Sequence, residues 1–227
     1  LADAVRTALR DGDSEVRMAA LAALTGADLP DETTVELLAS VVGEGSVAEQ
    51  QAAVAALGEV GSETGREALT QIVNRLVEGE IDPAVQLDVA EAARAAGNEQ
   101  LLALVEQYET ARDAGGSPVA AYADALHGGN ARAGQRIVFQ HPGAQCTRCH
   151  TLGGGSGGDA SGIEVGPPLR GIGSELSREQ LLEALVDPSA RIAPGFGVQG
   201  APSAMPPMGG ILTRREIRDV VEFLSGI

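Results

Sequence analysis

Cys146 and Cys149 stand three residues apart, and His150 follows the second directly. They are the only cysteines in the chain. On one helical turn, two thiols at this spacing reach the two vinyl groups of one haem and form thioethers, and the next residue lies beneath the iron, where its imidazole supplies a ligand. Two other chemistries use neighbouring cysteines. A structural zinc site takes four ligands, and beyond this run the chain offers no cysteine and only His127 and His141. A thioredoxin-like dithiol stands in a βαβ context, and no such pattern surrounds this one. The run therefore predicts a chain folded about one covalent haem c, with Cys146 and Cys149 as attachment points and His150 as an iron ligand.

What surrounds that run is helical. Tyr108, Tyr122, Phe139, Phe196 and Phe223 are all the aromatic residues present, so any core is built from Ala, Leu, Val and Ile, which suits close-packed helices. Residues 1–113 are weakly repetitive. Ser14–Leu24 reads Ser-Glu-Val-Arg-Met-Ala-Ala-Leu-Ala-Ala-Leu, and residues 52–58 read Ala-Ala-Val-Ala-Ala-Leu-Gly. A looser third copy starts at Asp82-Pro83-Ala84-Val85 and runs through Ala96-Gly97. Each copy puts small and aliphatic residues at helical spacing, and Gly or Asp marks the turns. The pattern Asp-x-x-Val-Arg-x-x-Ala-x-x-Ala-Leu over residues 13–24 resembles HEAT or armadillo-type repeats, though the period is shorter than the ~40–47 residues of HEAT units. The resemblance implies paired helices stacked into a solenoid.

Charge divides the chain. Residues 1–125 hold 23 acids and 7 arginines, a balance of −16, whereas residues 126–227 hold 9 of each. Lysine is absent, which fits an arginine-biased composition. No basic stripe exists, so nucleic acid is not an expected partner. A basic redox protein docking on the acidic repeats is. No apolar run reaches the ~20 residues that span a membrane, and no signal peptide is visible. Leu1 falls inside a helical pattern, so a processed or truncated start is expected, with an export signal ahead of it.

Ala114-Gly115-Gly116-Ser117-Pro118 breaks the helical pattern. A short helical stretch over 119–126 follows, then a second break at His127-Gly128-Gly129-Asn130. The expected organisation is a repeat domain over 1–113, a linker over 114–128 and a haem domain over 129–227.

Four features of 129–227 resemble the class I cytochrome c family. Asn130 can cap a helix running from Ala131 to Phe139, in which Gly134 lets another helix come close and Phe139 points to the same interface. In Gly166-Pro167-Pro168-Leu169, the resemblance implies that the Pro167 carbonyl holds the second ring nitrogen of His150 and that Leu169 lies against the haem. The run Ser203-Ala204-Met205-Pro206-Pro207-Met208-Gly209-Gly210 resembles the loop delivering a methionine sulfur, which makes Met205 the second iron ligand and Met208 a packing residue. A thioether ligand raises the potential relative to two histidines. Finally, Thr213 and Glu216 form a capping box, with Leu212 and Ile217 as its staple. They open a helix whose stripe is Ile217, Val220, Val221 and Leu224, and Phe223 is expected to meet Phe139 where this helix crosses the first. Ser177, Gln180, Leu176 and Leu181 repeat that grammar ahead of Arg178–Val186, which Asp187-Pro188 ends. The resemblance implies an all-α fold: HEAT-like repeats, then a class I cytochrome c domain.

Arg170 and Arg191 are candidate partners of the haem propionates, against the alternative of ordinary solvated arginines. The glycine-rich run over 153–158 lacks a Gly-Lys-Ser/Thr ending and reads as a surface insertion. His141 and His127 are expected to play no part at the iron. The segment from Asp187 to Phe196 resembles haem domains at the ends of large exported bacterial proteins. There a longer, often strand-rich segment precedes the methionine, which puts the loop over 197–202 in question. The expected function is electron transfer as a subunit or domain of a larger redox assembly, periplasmic or otherwise exported and open to membrane association through a complex, with the chain not an enzyme itself. The alternative is the electron-accepting tail of a dehydrogenase whose catalytic domain lies outside this chain. An open-site peroxidase conflicts with Met205 as ligand.

Overall fold

Seven helices form the first unit, Leu1–Ala111, of the computed structural model, which describes residues 1–152, 165–196 and 201–227. They are α1 (Ala2–Ala8), α2 (Ser14–Leu24), α3 (Asp31–Glu44), α4 (Val47–Glu59), α5 (Glu63–Val77), α6 (Gln86–Ala96) and α7 (Glu99–Asp113), the last running just past the unit's end. Among the described residues there is no strand. Local chemistry starts and stops these helices. The Asp13 carboxylate accepts from the Glu15 amide at 2.8 Å and caps α2. Ser46 and Glu49 form a capping box on α4, and Gly97, at φ +65°, ends α6 in the left-handed conformation that glycine tolerates best.

The helices pack as pairs, α1 on α2, α3 on α4 and α5 on α6, and the second members α2, α4 and α6 stack in turn. The three Ala-rich copies of the sequence coincide with those second members, because stacked inner helices need small residues at their contact. At Gly58 of α4 a Cβ would lie 3.0 Å from the Ala92 carbonyl of α6. Leu24, Leu38, Leu57, Leu69, Leu76 and Leu87 fill the layer between. The Arg of the repeat pattern has a role of its own: Arg17 Nε donates to Glu49 at 2.8 Å, tying α2 to α4. Burial raises the Glu49 carboxyl, but the Ser46 amide and Arg17 outweigh it and hold the group below the ordinary carboxylate range.

The second unit is Arg112–Ile227. Its helices are α8 (Ala131–Gln140), α9 (Ile172–Glu175), α10 (Arg178–Val186) and α11 (Arg214–Ser225), with short 3-10 turns at Ala120–Ala125, Cys146–Arg148 and Met208–Gly210. Asn130 caps α8 through the Ala133 amide at 3.0 Å, and both expected capping boxes form, on α10 and α11. The crossing of α8 and α11 organises the unit. At Gly134 a Cβ would stand 1.9 Å from the Asp219 carbonyl and 2.8 Å from Phe223 Cβ, so only glycine permits this approach. Ile217, Val220, Val221 and Leu224 are buried on the facing stripe.

Two expectations differ from the structure. Phe139 does not join the core that buries Phe223: it is 48% exposed, while Val138 and Gly134 are buried. One helical turn on from Gly134 lands four residues later, on Val138, and Phe139 is carried round to another face. The segment 114–128, read as a linker, is not free of the second unit: Asp124 and Ala125 are buried, and Val119, Tyr122 and Leu126 pack on that unit's core.

Candidate haem site

The chain leaves α8 through a turn built on His141. Its Nδ1 accepts from the Gly143 and Ala144 amides at 3.2 and 3.0 Å, and its Nε2 lies 3.8 Å from Glu216. This histidine organises the approach to the Cys-x-x-Cys-His run. Gln145 then takes φ +45°, the only left-handed residue other than glycine among the described ones. Such a conformation carries a cost of ~1–2 kcal/mol. It turns the chain into Cys146–Arg148, where the Cys149 and His150 amides both donate to the Cys146 carbonyl, at 3.2 and 3.0 Å. The two cysteines and the histidine thus share one tight turn. Cys146 is half-buried against the unit's core and Cys149 is exposed; they form no disulfide. Burial pushes the Cys146 thiol up from its ordinary value.

His150 is oriented from behind. Its Nδ1 lies 2.8 Å from the Pro167 carbonyl. A carbonyl oxygen only accepts, so in the neutral ring Nδ1 carries the proton and the lone pair is on Nε2. The Gly166 amide donates to the Cys149 carbonyl at 3.0 Å and the Leu169 amide to the Thr151 carbonyl at 2.7 Å, fastening Gly166-Pro167-Pro168-Leu169 alongside the histidine. Gly166 is where that contact is closest: a Cβ there would lie 2.7 Å from His150 Cε1 and 2.9 Å from Nδ1. Leu169 is buried.

The two methionines differ in burial. Met208 is 3% exposed and part of the core, whereas Met205 is half-buried at the edge of the same cluster, which also receives Leu169 and Cys146. The loop before Met205 is tied down, since the Ser203 amide donates to Ser189 Oγ at 3.1 Å and the Met205 amide to Ser203 Oγ at 3.2 Å. The candidate arginines are placed differently. Arg191 pairs with Glu183 at 3.3 Å. Arg170 is exposed, with no ion pair to another described residue. The glycine-rich run over 153–158 and residues 197–200 of the questioned loop lie outside the described residues.

Sequence reasoning missed one cluster near the methionine loop. The Asp124 side chain, 1% exposed, accepts from Arg112 Nη1 at 2.5 Å and Arg214 Nη1 at 3.1 Å. Arg214 also donates to the Ala121 carbonyl and lies over the Tyr122 ring, 4.7 Å from its centre. No local sequence signal marks it, since Asp124 and Arg214, 90 residues apart in sequence, meet only in the fold.

Residues 131–227 match the family model for cytochrome c, and residues 2–81 match that for HEAT repeats. The chain has no significant match among curated proteins or solved structures. No described helix is long and apolar enough to cross a membrane.

Proposed function

We propose, from the match of residues 131–227 to the cytochrome c model and of residues 2–81 to the HEAT-repeat model, that this chain carries electrons through a single covalent haem ligated by His150 and Met205, within an exported redox assembly. The observation that carries this reading is the His150 ring, held at Nδ1 by the Pro167 carbonyl so that Nε2 is left to a metal. The residues fit the cofactor. Two unlinked thiols precede the histidine on one turn, and Gly166 makes room behind the ring where a side chain would collide.

When bound, the haem supplies the one-electron couple of its iron. The chain's own residues hold and tune it. Cys146 and Cys149 anchor it through sulfur. Pro167 fixes the tautomer of His150 and makes it a better donor. Leu169, Met208 and the core beneath them would keep water from the haem, and Arg170, exposed at the surface, would pair with a propionate. Arg191 would have to leave Glu183 to do the same. A thioether from Met205 would favour the reduced iron, and an iron held by both His150 and Met205 would serve electron transfer. The acidic repeats would supply long-range attraction to a basic redox partner.

A pyridine haemochrome assay and a reduced-minus-oxidised spectrum test haem type, number and ligation together. The ferric protein should show a weak near-infrared sulfur-to-iron band. Met205→Ala should abolish it, while Met208→Ala should keep it and lose ~2–5 kcal/mol of stability through the cavity left in the core. The opposite pattern makes Met208 the ligand. Haem should be attached only when the chain is exported, and holoprotein assembled in the cytoplasm would contradict that location.

A further inference from the structure

The segment that precedes the family-matched region makes a contact that reaches the methionine loop. Tyr122 belongs to the 3-10 turn Ala120–Ala125 and packs on the core that also receives Met205 and Met208. Its ring lies hard against Gly209: a Cβ at that position would stand 2.3 Å from the Tyr122 hydroxyl and 2.9 Å from the ring carbon that bears it. Gly209 is the middle residue of the 3-10 turn Met208–Gly210, and the Ile211 and Leu212 amides close that turn by donating to the Met208 carbonyl at 2.9 and 2.8 Å.

Tyr122 is itself fixed by charge. The buried Asp124 carboxylate binds Arg112 on one oxygen and Arg214 on the other. Arg214, the first residue of α11, covers the Tyr122 ring and binds the Ala121 carbonyl. A buried charge with satisfied partners specifies one arrangement, because losing a partner strands a charge in a low dielectric. The ring therefore has little freedom to withdraw from Gly209. The loop is secured at its other end by the bond from the Ser203 amide to Ser189. Met205 sits between these two fastenings.

We propose that Tyr122, clamped by Arg112, Asp124 and Arg214, is a positioning residue that braces the Met205 loop and thereby sets how firmly the methionine sulfur holds the iron. This rests on Met205 being the ligand. Residues 112–126 then serve to tune the haem site.

Exogenous imidazole competes with a methionine for ferric haem, so its binding reads the strength of the sulfur ligand without reference to electron-transfer activity. In the full-length holoprotein, Tyr122→Ala should tighten imidazole binding by about tenfold, ~1.4 kcal/mol, and lower the reduction potential. Tyr122→Phe keeps the ring against Gly209 and under Arg214, and should restore both values. Gly209→Ala presses a methyl on the ring from the loop side and should weaken the methionine in the same direction. It decides the matter if Tyr122→Ala does not fold. A wild-type protein that shows the near-infrared band, with imidazole affinity and potential unchanged in Tyr122→Ala or, failing that variant, in Gly209→Ala, overturns the brace alone. A wild-type protein without the band overturns the ligation and the brace together.

Discussion

Gly166 and His150 show how a single missing side chain sets the chemistry of another. The ring can approach the Pro167 carbonyl at 2.8 Å because nothing projects from residue 166. Gly166→Ala places a methyl 2.7 Å from His150 Cε1, closer than van der Waals contact permits. Gly166 itself and Leu169 are held by backbone hydrogen bonds to Cys149 and Thr151, so the ring rather than the chain must move. The variant should keep both thioethers but lose ~1–3 kcal/mol of stability, the usual cost of overpacking, and its potential should change as the histidine loses its acceptor. Thermal unfolding and redox titration of the holoprotein check this, and wild-type values in both would show that the contact is dispensable. His150 was legible from the sequence because its neighbours are covalently adjacent. The exposure of Phe139 was not, since it depends on which helical face the crossing at Gly134 selects.

Among the elements, α11 bears most of the second unit. It crosses α8, carries Arg214 to the Asp124 cluster and buries its whole apolar stripe. Its start depends on the capping box, in which Glu216 accepts from the Thr213 amide at 2.8 Å. That hydrogen bond, opposed by desolvation and assisted by the Thr213 hydroxyl and His141, holds the Glu216 carboxyl below the ordinary carboxylate range. A carboxyl lowered on folding contributes stability that is fully present above its unfolded value, ~4.3. The contribution is lost as the pH falls through the lowered folded value, where the folded state must take up the proton. Glu216→Gln should therefore be less stable than wild type at neutral pH, and the difference should shrink towards pH 3. Thr213→Ala should cost about 1 kcal/mol at neutral pH. Denaturation across that pH range checks both, and a Glu216→Gln difference that does not shrink at acid pH would mean that its charge has no part in the cap.

Over the whole molecule the charge is divided as the fold is. The acidic excess lies in residues 1–125, nearly all of it in the repeat unit, and the balance over 126–227 is zero. An exposed field of one sign acts over distance, while electron exchange needs close approach. Attraction by the repeats should then raise the rate at which a small basic redox protein exchanges electrons with the haem. Raising the salt from about 20 to 500 mM should slow that exchange as the screening length falls from ~20 Å towards a few ångströms, whereas an uncharged small-molecule reductant should be indifferent. Equal responses to the two reductants would leave the repeats with no steering role.

What the sequence determined by itself is whatever short-range spacing can encode. The attachment run, both capping boxes, the Asn130 cap and the small-residue crossing at Gly134 are interactions among residues a turn or two apart, or a geometric requirement of one residue type. The Ala-rich copies likewise marked the stacked helices α2, α4 and α6, because inner helices of a repeat array need small residues at regular intervals. Tertiary structure alone decided that Arg17 of α2 would meet Glu49 of α4, that Val138 rather than Phe139 would face α11, and that residues 119–126 would join the second unit's core. Asp124 illustrates the reason. In sequence it is one acid among many, with nothing local to distinguish it, and it becomes a buried anion only because folding brings Arg112 and Arg214 to it from opposite ends of the unit.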